Sequence, residues 1–501
     1  METVGDLNKE DGTVMPPEAE NSNDDSWAAS VEPPGGELAI PAPEASDKEI
    51  IEEVIDHEEV SLIRKNILTL ALPALAEMIL MTLVSMADMI MVGRLGPWAI
   101  TSVGLSNQPM FVAMSMFMAL NVGATALVAR SIGANRPEDA SAAARQAVVI
   151  AGAMGLILGI LGYMNAPSII AWMGAEADVI GPGSSYLKIV ACGLLFQGVT
   201  ISLSASLRGA GDTKTPMSVN TVANLVNVFF NYLLIYGHFG FPRMEVAGAA
   251  LATTISRGVG CALIIRKILL NRAAIKISIH DSFRPDPEIM RRIFRVGLPA
   301  AMEQAVMRSG QMAFARIVSS FGTTVYAAHQ VALNVEGLSF TPGQAFQIAT
   351  TSLVGQSLGA KRPKRAMRTG WEALKIGAAV AVLVGLVYFF FGKYVAYLYT
   401  DDRTVTELAA GALRIIAVAQ PFMIGNFILS GGLRGAGDTK WTLYITAAGI
   451  WGVRVVLAYI LAIKMGMGLP GAWIGMAMDM STRAILAALR FRAGHWAKIE
   501  V

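Results

Sequence analysis

The sequence predicts an all-α membrane protein: twelve transmembrane helices in two six-helix lobes related by pseudo-two-fold symmetry. Three observations predict it. Hydrophobic residues make up 54% of the chain and charged residues only 16%, with a mean hydropathy of +0.50. A soluble domain usually carries about 25% charged residues, and the apolar runs here have the length of about 20 residues that a helix needs to cross a bilayer. The second observation is an internal duplication. The third is the side on which lysine and arginine collect.

The duplication is read directly. Leu207-Arg-Gly-Ala-Gly-Asp-Thr-Lys214 returns intact as Leu433-Arg-Gly-Ala-Gly-Asp-Thr-Lys440, a shift of 433 − 207 = 226. At the same shift Gly-Leu-Pro299-Ala-Ala-Met-Glu303 follows Ala-Leu-Pro73-Ala-Leu-Ala-Glu77, and Val354-Gly-Gln-Ser-Leu-Gly359 follows Val128-Ala-Arg-Ser-Ile-Gly133. Three matches in one register make the chain a tandem repeat of one module, longer than the period of a solenoid array.

Before the first module lies an acidic segment, residues 1–60, rich in Glu, Asp, Pro, Ser and Asn. Its composition predicts a disordered tail. It has neither the basic start and apolar centre of a signal peptide nor the arginine-rich, acid-poor make-up of a transit peptide. Asp47 to Glu59 is expected to form a short amphipathic helix. Apolar spans follow near 66–92, 99–125, 143–164, 184–206, 215–237 and 246–270. They repeat near 294–320, 325–350, 370–395, 408–432, 441–463 and 469–490. The first lobe is placed at 61–270, a polar linker at 271–293, the second lobe at 294–493, and a short tail at 494–501. Cys192 and Cys261 fall inside apolar runs and are read as small core hydrophobes.

Lysine and arginine set the orientation. Connections after even-numbered spans carry Arg130, Arg136, Arg208, Lys214, Arg266, Lys267, Lys361, Arg362, Lys364, Arg365, Arg434 and Lys440. The opposite connections hold little beyond Arg94, Arg243, Lys393, Arg403 and Lys464. Both termini are therefore expected to be cytoplasmic. Six spans return each module to its starting side, so the modules are parallel repeats about an axis along the membrane normal, a design suited to alternating access.

Ionisable groups within a bilayer are costly and mark cavities or ion paths. Glu77 and Asp88 share one face of the first span, with Met81 between them. Asn224, Asn227 and Asn231 form one polar stripe on the fifth, and Thr253 and Thr254 lie on the sixth. Carboxylate, amide and hydroxyl oxygens together suit a proton or a small hard cation. Asp88 as a cap near the span end, and the amides and hydroxyls as interhelical hydrogen bonds, are the structural alternatives. In the second lobe Glu303, Gln304 and Arg308 stand on the seventh span, and His329, Gln330, Asn334 and Glu336 on the eighth. Arg308 needs a partner, for which Glu336 is the first candidate and Glu303 the second. Phe314 occupies the position matching Asp88, so the two lobes have diverged.

The repeated Gly-Ala-Gly-Asp is read as a tight loop, its glycines turning the chain and Asp212 or Asp438 capping the next helix. An intramembrane aspartyl protease would not flank its aspartates with Arg and Lys, and no phosphate-binding Gly-x-x-x-x-Gly-Lys-Ser/Thr is present. An enzyme is not expected. Nor is a cofactor; energy is expected from a proton or sodium gradient.

These residues resemble a known family. Pro73, Met-Ala-Asp88-Met, Gly93-Arg-Leu-Gly96, the paired Arg-Gly-Ala-Gly-Asp-Thr loops and Ala-Ala-His329-Gln through Thr-Pro342-Gly look like the multidrug and toxic compound extrusion (MATE) family, in particular its DinF-like branch. The likeness covers residues 62–490. It implies a plasma-membrane antiporter that expels organic, often cationic and lipophilic compounds in exchange for protons or sodium. On that likeness Asp88, Asn227 and Thr253 form the ion-coupling site together with position 231, where the branch commonly has Asp and this chain has Asn231. One carboxylate where the branch has two favours protons over sodium, with Asp88 and Asn227 as the place a sodium ion would sit. Met307 stands where another branch has a glutamate, so that branch's second-lobe site is not carried over. Glu77, Met81, Glu303, Gln304, Arg308, Gln330, Asn334 and Glu336 are candidates for the substrate cleft. Small organic substrates and the lipid bilayer are the expected partners, with no nucleic acid, and the chain is expected to act as a monomer. A lipid-linked oligosaccharide flippase is the alternative within the wider superfamily, disfavoured because the chain offers Arg308 where a basic cavity would be needed.

Overall fold

The computed structural model describes residues 45–270, 273–277, 281–400 and 402–499, with side chains from residue 58. The acidic segment lies outside the described residues up to position 44, as do parts of the linker. Residues His57–Val501 form one compact unit, and every membrane crossing lies within it.

The first lobe is built from α1 (Ala45–Gly93), α2 (Pro97–Gly133), α3 (Pro137–Trp172), α4 (Ala177–Cys192), α5 (Leu194–Gly209), α6 (Lys214–Tyr236) and α7 (Glu245–Leu269). The second comprises α8 (Pro287–Ser319), α9 (Thr323–Gly359), α10 (Pro363–Tyr397), α11 (Arg403–Gly435), α12 (Thr439–Lys464) and α13 (Gly468–Arg492). The expected fourth span is the pair α4 and α5, bent by 47° at Gly193, so the described helices group into the twelve expected spans, nine of them long and apolar enough by themselves to cross a membrane. The expected short helix at 47–59 is continuous with α1. Within α12 the backbone runs as π-helix over Ala448–Val455 and Tyr459–Lys464, a winding often found where a helix carries function.

Local chemistry sets the helix ends. Pro97, Pro137, Pro287 and Pro363 open helices at a position where the missing N–H costs nothing. Asp286 accepts from the Glu288 and Ile289 amides, and Asp402 from those of Thr404 and Val405. In the repeated loops Gly211 and Gly437 both adopt left-handed φ, 89° and 84°. Asp212 accepts from the Thr215 amide at 2.9 Å and caps α6 as expected. Asp438 stands at the N-cap of α12 beside the Trp441 amide and also accepts from Arg490 Nε at 2.8 Å. Among the cysteines Cys261 is buried, whereas Cys192, at the end of α4, is exposed.

The lobes exchange their first turns. Ile63, Ile67, Leu70 and Ala71 of α1 pack into the apolar core of α9, α10, α11 and α13. Ile293 of α8, the 226-shifted partner of Ile67, packs into the first-lobe core of α2, α3, α4 and α5. Arg64 is bound to Glu372 at 2.7 Å and Glu59 to Arg368 at 3.0 Å, fixing the start of α1 on α10. Each lobe's first helix therefore starts against the other lobe and reaches its own only beyond Pro73 or Pro299. The boundary drawn at residue 61 separates sequence modules and not packing units.

Between the lobes the helices meet closely near the two Gly-Ala-Gly-Asp loops, at the end of the molecule termed the loop face. A Cβ on Gly133 would fall on the Gln356 carbonyl oxygen, and one on Gly359 on that of Arg130. Gln356 Nε2 and Ser352 Oγ donate to the Gly209 carbonyl at 2.9 and 3.1 Å. Arg130 donates to the Ala436 carbonyl at 3.1 Å. The arrangement is pseudo-symmetric to within one residue: position 130 matches 356, and Gly209 matches Gly435, next to Ala436.

Candidate functional site

In the first lobe α1, α6 and α7 bring a polar group together inside an apolar surround. Asn231 Nδ2 donates to Asp88 Oδ1 at 2.6 Å and to Asn227 Oδ1 at 3.2 Å. The two asparagines are one helical turn apart on α6, both buried, while Asp88 is half-buried. The Asn227 amide also lies against the carboxylate, and with its nitrogen turned inward it donates to the two Asp88 oxygens at 3.0 and 3.1 Å. The group combines one carboxylate with amide and hydroxyl side chains, all within spanning helices. Thr253 stands at its edge. Its hydroxyl donates to its own Ala249 carbonyl at 2.9 Å and meets Asn227 Nδ2 at 3.4 Å. Asn224 Nδ2 is buried with no hydrogen-bond partner among the described residues. Tyr236, one turn beyond Asn231, donates to the Met91 carbonyl at 2.9 Å and ties α6 to α1 just past Asp88.

The break between α4 and α5 is held by α7. Thr254 Oγ1 donates to the Ile189 carbonyl at 2.9 Å, and Arg257 to that of Val190 at 3.4 Å. Two of the last carbonyls of α4 are satisfied in this way, with a cation at the negative end of the helix dipole. Thr254 is therefore interhelical bonding and not part of the polar group around Asp88. Arg257, in the middle of a span, escaped the reading of the sequence.

Glu77 and Glu303, expected among cleft residues, are buried and bonded within their own lobes, Glu77 through Oε1 alone. Glu77 Oε1 accepts from Arg208 and from Asn220 Nδ2, each at 2.5 Å. Glu303 accepts from Arg434 at 2.8 Å, Thr446 at 2.9 Å and Thr442 at 3.0 Å. Arg208 and Arg434 are the arginines of the repeated motif, and Asn220 and Thr446 occupy matching positions. The duplicated sequence thus carries a duplicated clamp. It ties the first helix of each lobe, just past its proline, to the helix leading into the Gly-Ala-Gly-Asp loop.

Charges in the second lobe pair differently from expectation. Arg308 is exposed on α8 and forms no ion pair among the described residues. Glu336 is fully buried, with no hydrogen-bond partner on either carboxylate oxygen. Its cationic neighbours are Arg454 of α12 and Arg483 of α13, not Arg308. Those arginines converge on Asp479, which receives Arg454 Nη2 at 2.8 Å and Nε at 2.9 Å, and Arg483 Nε at 2.8 Å and Nη2 at 2.9 Å. Asp479 matches Thr253 and Arg483 matches Arg257, so this triad stands where the first lobe has the polar group around Asp88. There the carboxylate is saturated by resident cations. Arg454, Asp479 and Arg483 were missed in the sequence, although the 226-residue shift from Arg257 would have found Arg483. Of the other cleft candidates, Met81 is exposed and Gln304 half-buried. Gln330 donates to the Tyr326 hydroxyl at 2.8 Å, and Asn334 to the Gln330 carbonyl at 3.0 Å; both are exposed on α9.

Comparison with known proteins matches this geometry to a family. The MatE family pattern fits the chain twice, over residues 73–233 and 299–460, and its two starting points are 226 residues apart. A probable multidrug resistance protein NorM of Thermotoga maritima is 34% identical over 455 residues, covering 90% of this chain and 97% of that protein. An uncharacterized transporter, YisQ, of Bacillus subtilis is 27% identical over 86% of this chain and 94% of its own length. Among solved structures, a MATE protein in its bent conformation superposes with a TM-score of 0.79 at 26% identity, covering 87% of this chain and 98% of that one. A transporter of the MOP superfamily from Pyrococcus furiosus, described as having a binding pocket of reversed polarity, gives 0.78 at 26% identity over 86% of this chain and 95% of its own. A two-lobed membrane transporter, and not an enzyme, this chain belongs to the MatE family.

Proposed function

We propose that the protein is a secondary antiporter that exports organic compounds across the plasma membrane in exchange for protons, with Asp88 as the coupling group. The observation that carries the reading is the contact of Asp88, a carboxylate inside a membrane span, with the neutral amides of Asn231 and Asn227; a single carboxylate among neutral amides suits a proton. Loss of the Asp88 charge frees α1 to repack. Pro73, which offers no N–H to the Thr69 carbonyl, is the natural place for it to bend. The start of α1 is fixed to the second lobe, so a bend there moves the two lobes against each other. Ionised Asp88 favours a cationic substrate in the cleft. The cleft wall is supplied by exposed methionines such as Met81, Met86, Met302 and Met312, whose side chains adapt to varied shapes.

The excess of arginine and lysine on the loop face supports placing that face, and both termini, in the cytoplasm. On that orientation the lobes are closed towards the cytoplasm and the cleft opens outward. Relatives named as multidrug resistance proteins support a broad range of substrates. Saturation of Asp479 by two arginines supports one coupling site per molecule, in the first lobe.

The test is substrate flux in proteoliposomes carrying either a pH gradient or a sodium gradient. Export driven by the pH gradient in sodium-free buffer is the expected result. Export that requires sodium and ignores pH would show that Asp88 and the amide oxygens hold sodium instead.

A further inference from the structure

A cavity of about 210 Å³ opens on the loop face where both lobes meet α1. Its walls include Ile63 and Asn66 of α1, Gly133 of α2, Gln356 of α9, and Arg362 and Arg365 at the start of α10. No acidic residue lines it. Neighbouring cations are neutralised: Arg64 and Lys375 by Glu372, and Arg368 by Glu59. Among the described residues Arg362 and Arg365 have no such partner.

The duplication offers an internal comparison. In the first lobe the matching loop is Arg136-Pro-Glu-Asp139, and Arg136 faces Asp139 across a 3.8 Å ion pair. In the second lobe the same turn reads Arg362-Pro-Lys-Arg365, preceded by Lys361. Where one copy closes on itself with opposite charges, the other places like charges beside a cavity. Like charges so arranged are destabilising unless an anion lies between them. Guanidinium groups bind phosphate oxygens in pairs of parallel hydrogen bonds.

We propose that this cavity binds the phosphate headgroup of an anionic membrane phospholipid. The source is the bilayer because the cavity walls include the first turns of two membrane spans, Glu58–Gly93 and Pro363–Tyr397, which places the site at the boundary between hydrocarbon and water. Basic pockets between spanning helices at that level are suited to anionic headgroups. The walls come from both lobes and from the start of α1, so a bound headgroup holds them together on this face. Lipid binding here requires only that the chain sits in a membrane, and it is independent of the coupling ion and the substrate.

The experiment is native mass spectrometry of the full-length protein titrated with phosphatidylglycerol or phosphatidylcholine of matched acyl chains. The wild-type protein is expected to retain one phosphatidylglycerol in preference to phosphatidylcholine. With each surface cation contributing about a factor of five, Arg365→Gln should weaken that retention roughly fivefold, and R362Q/R365Q roughly thirtyfold. Arg136→Gln, in the matching first-lobe loop, should leave it at the wild-type level. Equal retention of the two lipids, or unchanged retention by the double variant, overturns the proposal. Displacement of the lipid by millimolar inorganic phosphate would assign the site to free phosphate and overturn the lipid source. A preference that appears only after residues 1–50 are deleted would make the chain's own acidic segment the occupant, with the same consequence.

Discussion

Asn231 donates to Asp88 at 2.6 Å, in a place where a second carboxylate would repel it. The substitution that separates a charge role from a packing role is Asp88→Asn, nearly equal in shape and unable to titrate. Gradient-driven export by this variant should fall to the level of protein-free liposomes, while its yield and elution from a sizing column stay normal. Near-normal export would remove Asp88 from the coupling step. The complementary change is Asn231→Asp. Two carboxylates at hydrogen-bond distance cannot both be ionised without a proton or cation between them. The pH profile of export should therefore acquire a second step, or a sodium gradient should begin to drive it. A profile identical to wild type under both gradients would show that position 231 does not share the site. Asp88, Asn227 and Asn231 were legible in the sequence because polar residues repeated at helical spacing in apolar runs are few. Thr253 and Thr254 were not separable there, since only packing decides which hydroxyl faces α6 and which faces the end of α4.

At the scale of elements, the duplicated clamp joins the first helix of each lobe to the helix leading into the repeated loop. Sequence placed the Gly-Ala-Gly-Asp motif at a tight turn, and the left-handed glycines and the Asp212 cap agree with that reading. It did not assign the arginine of the motif, because the bonds from Arg208 to Glu77 and from Arg434 to Glu303 each span 131 residues. The same blindness to long-range partners led to Arg308 being matched with Glu336. Arg308 is exposed on α8, and a charge inside a span is tolerated without a partner where it faces a water-filled cavity. A stability measurement distinguishes the two kinds of charge. Glu303→Ala leaves Arg434 without its carboxylate and Thr442 and Thr446 without their acceptor. Losing one partner of a buried pair costs about 3–5 kcal/mol, so the variant should unfold at a clearly lower temperature in detergent. Arg308→Ala should stay close to wild type. Equal unfolding temperatures for Glu303→Ala and the wild-type protein would show that the clamp contributes no stability.

For the whole molecule, the constant shift of 226 residues carried the two lobes, their number of crossings and their shared orientation. It could not carry the exchange of first turns, in which Ile67 and Ile293 enter opposite cores, because sequence periodicity does not reveal which neighbour covers a helix face. Nor could it show that the modules meet through matched glycines. At Gly359 a side chain would collide with the Arg130 carbonyl, and at Gly133 with that of Gln356; both obstacles are backbone and cannot swing aside. Overpacking of this kind typically costs about 1–3 kcal/mol. If the cost falls only on the arrangement closed at the loop face, the ratio of closed to open molecules should drop roughly five- to a hundredfold. Ser352 is fully buried in this seam and bonded to the Gly209 carbonyl, so a cysteine there reports its opening. In a background with Cys192→Ala and Cys261→Ala, a membrane-impermeant thiol reagent applied from the loop face should label Ser352→Cys slowly. Adding Gly359→Leu should speed the labelling by a comparable factor, and export should slow because the molecule can no longer complete its cycle. Unchanged labelling in a folded variant would mean that the lobes part elsewhere, and that the glycine seam is packing without a role in access.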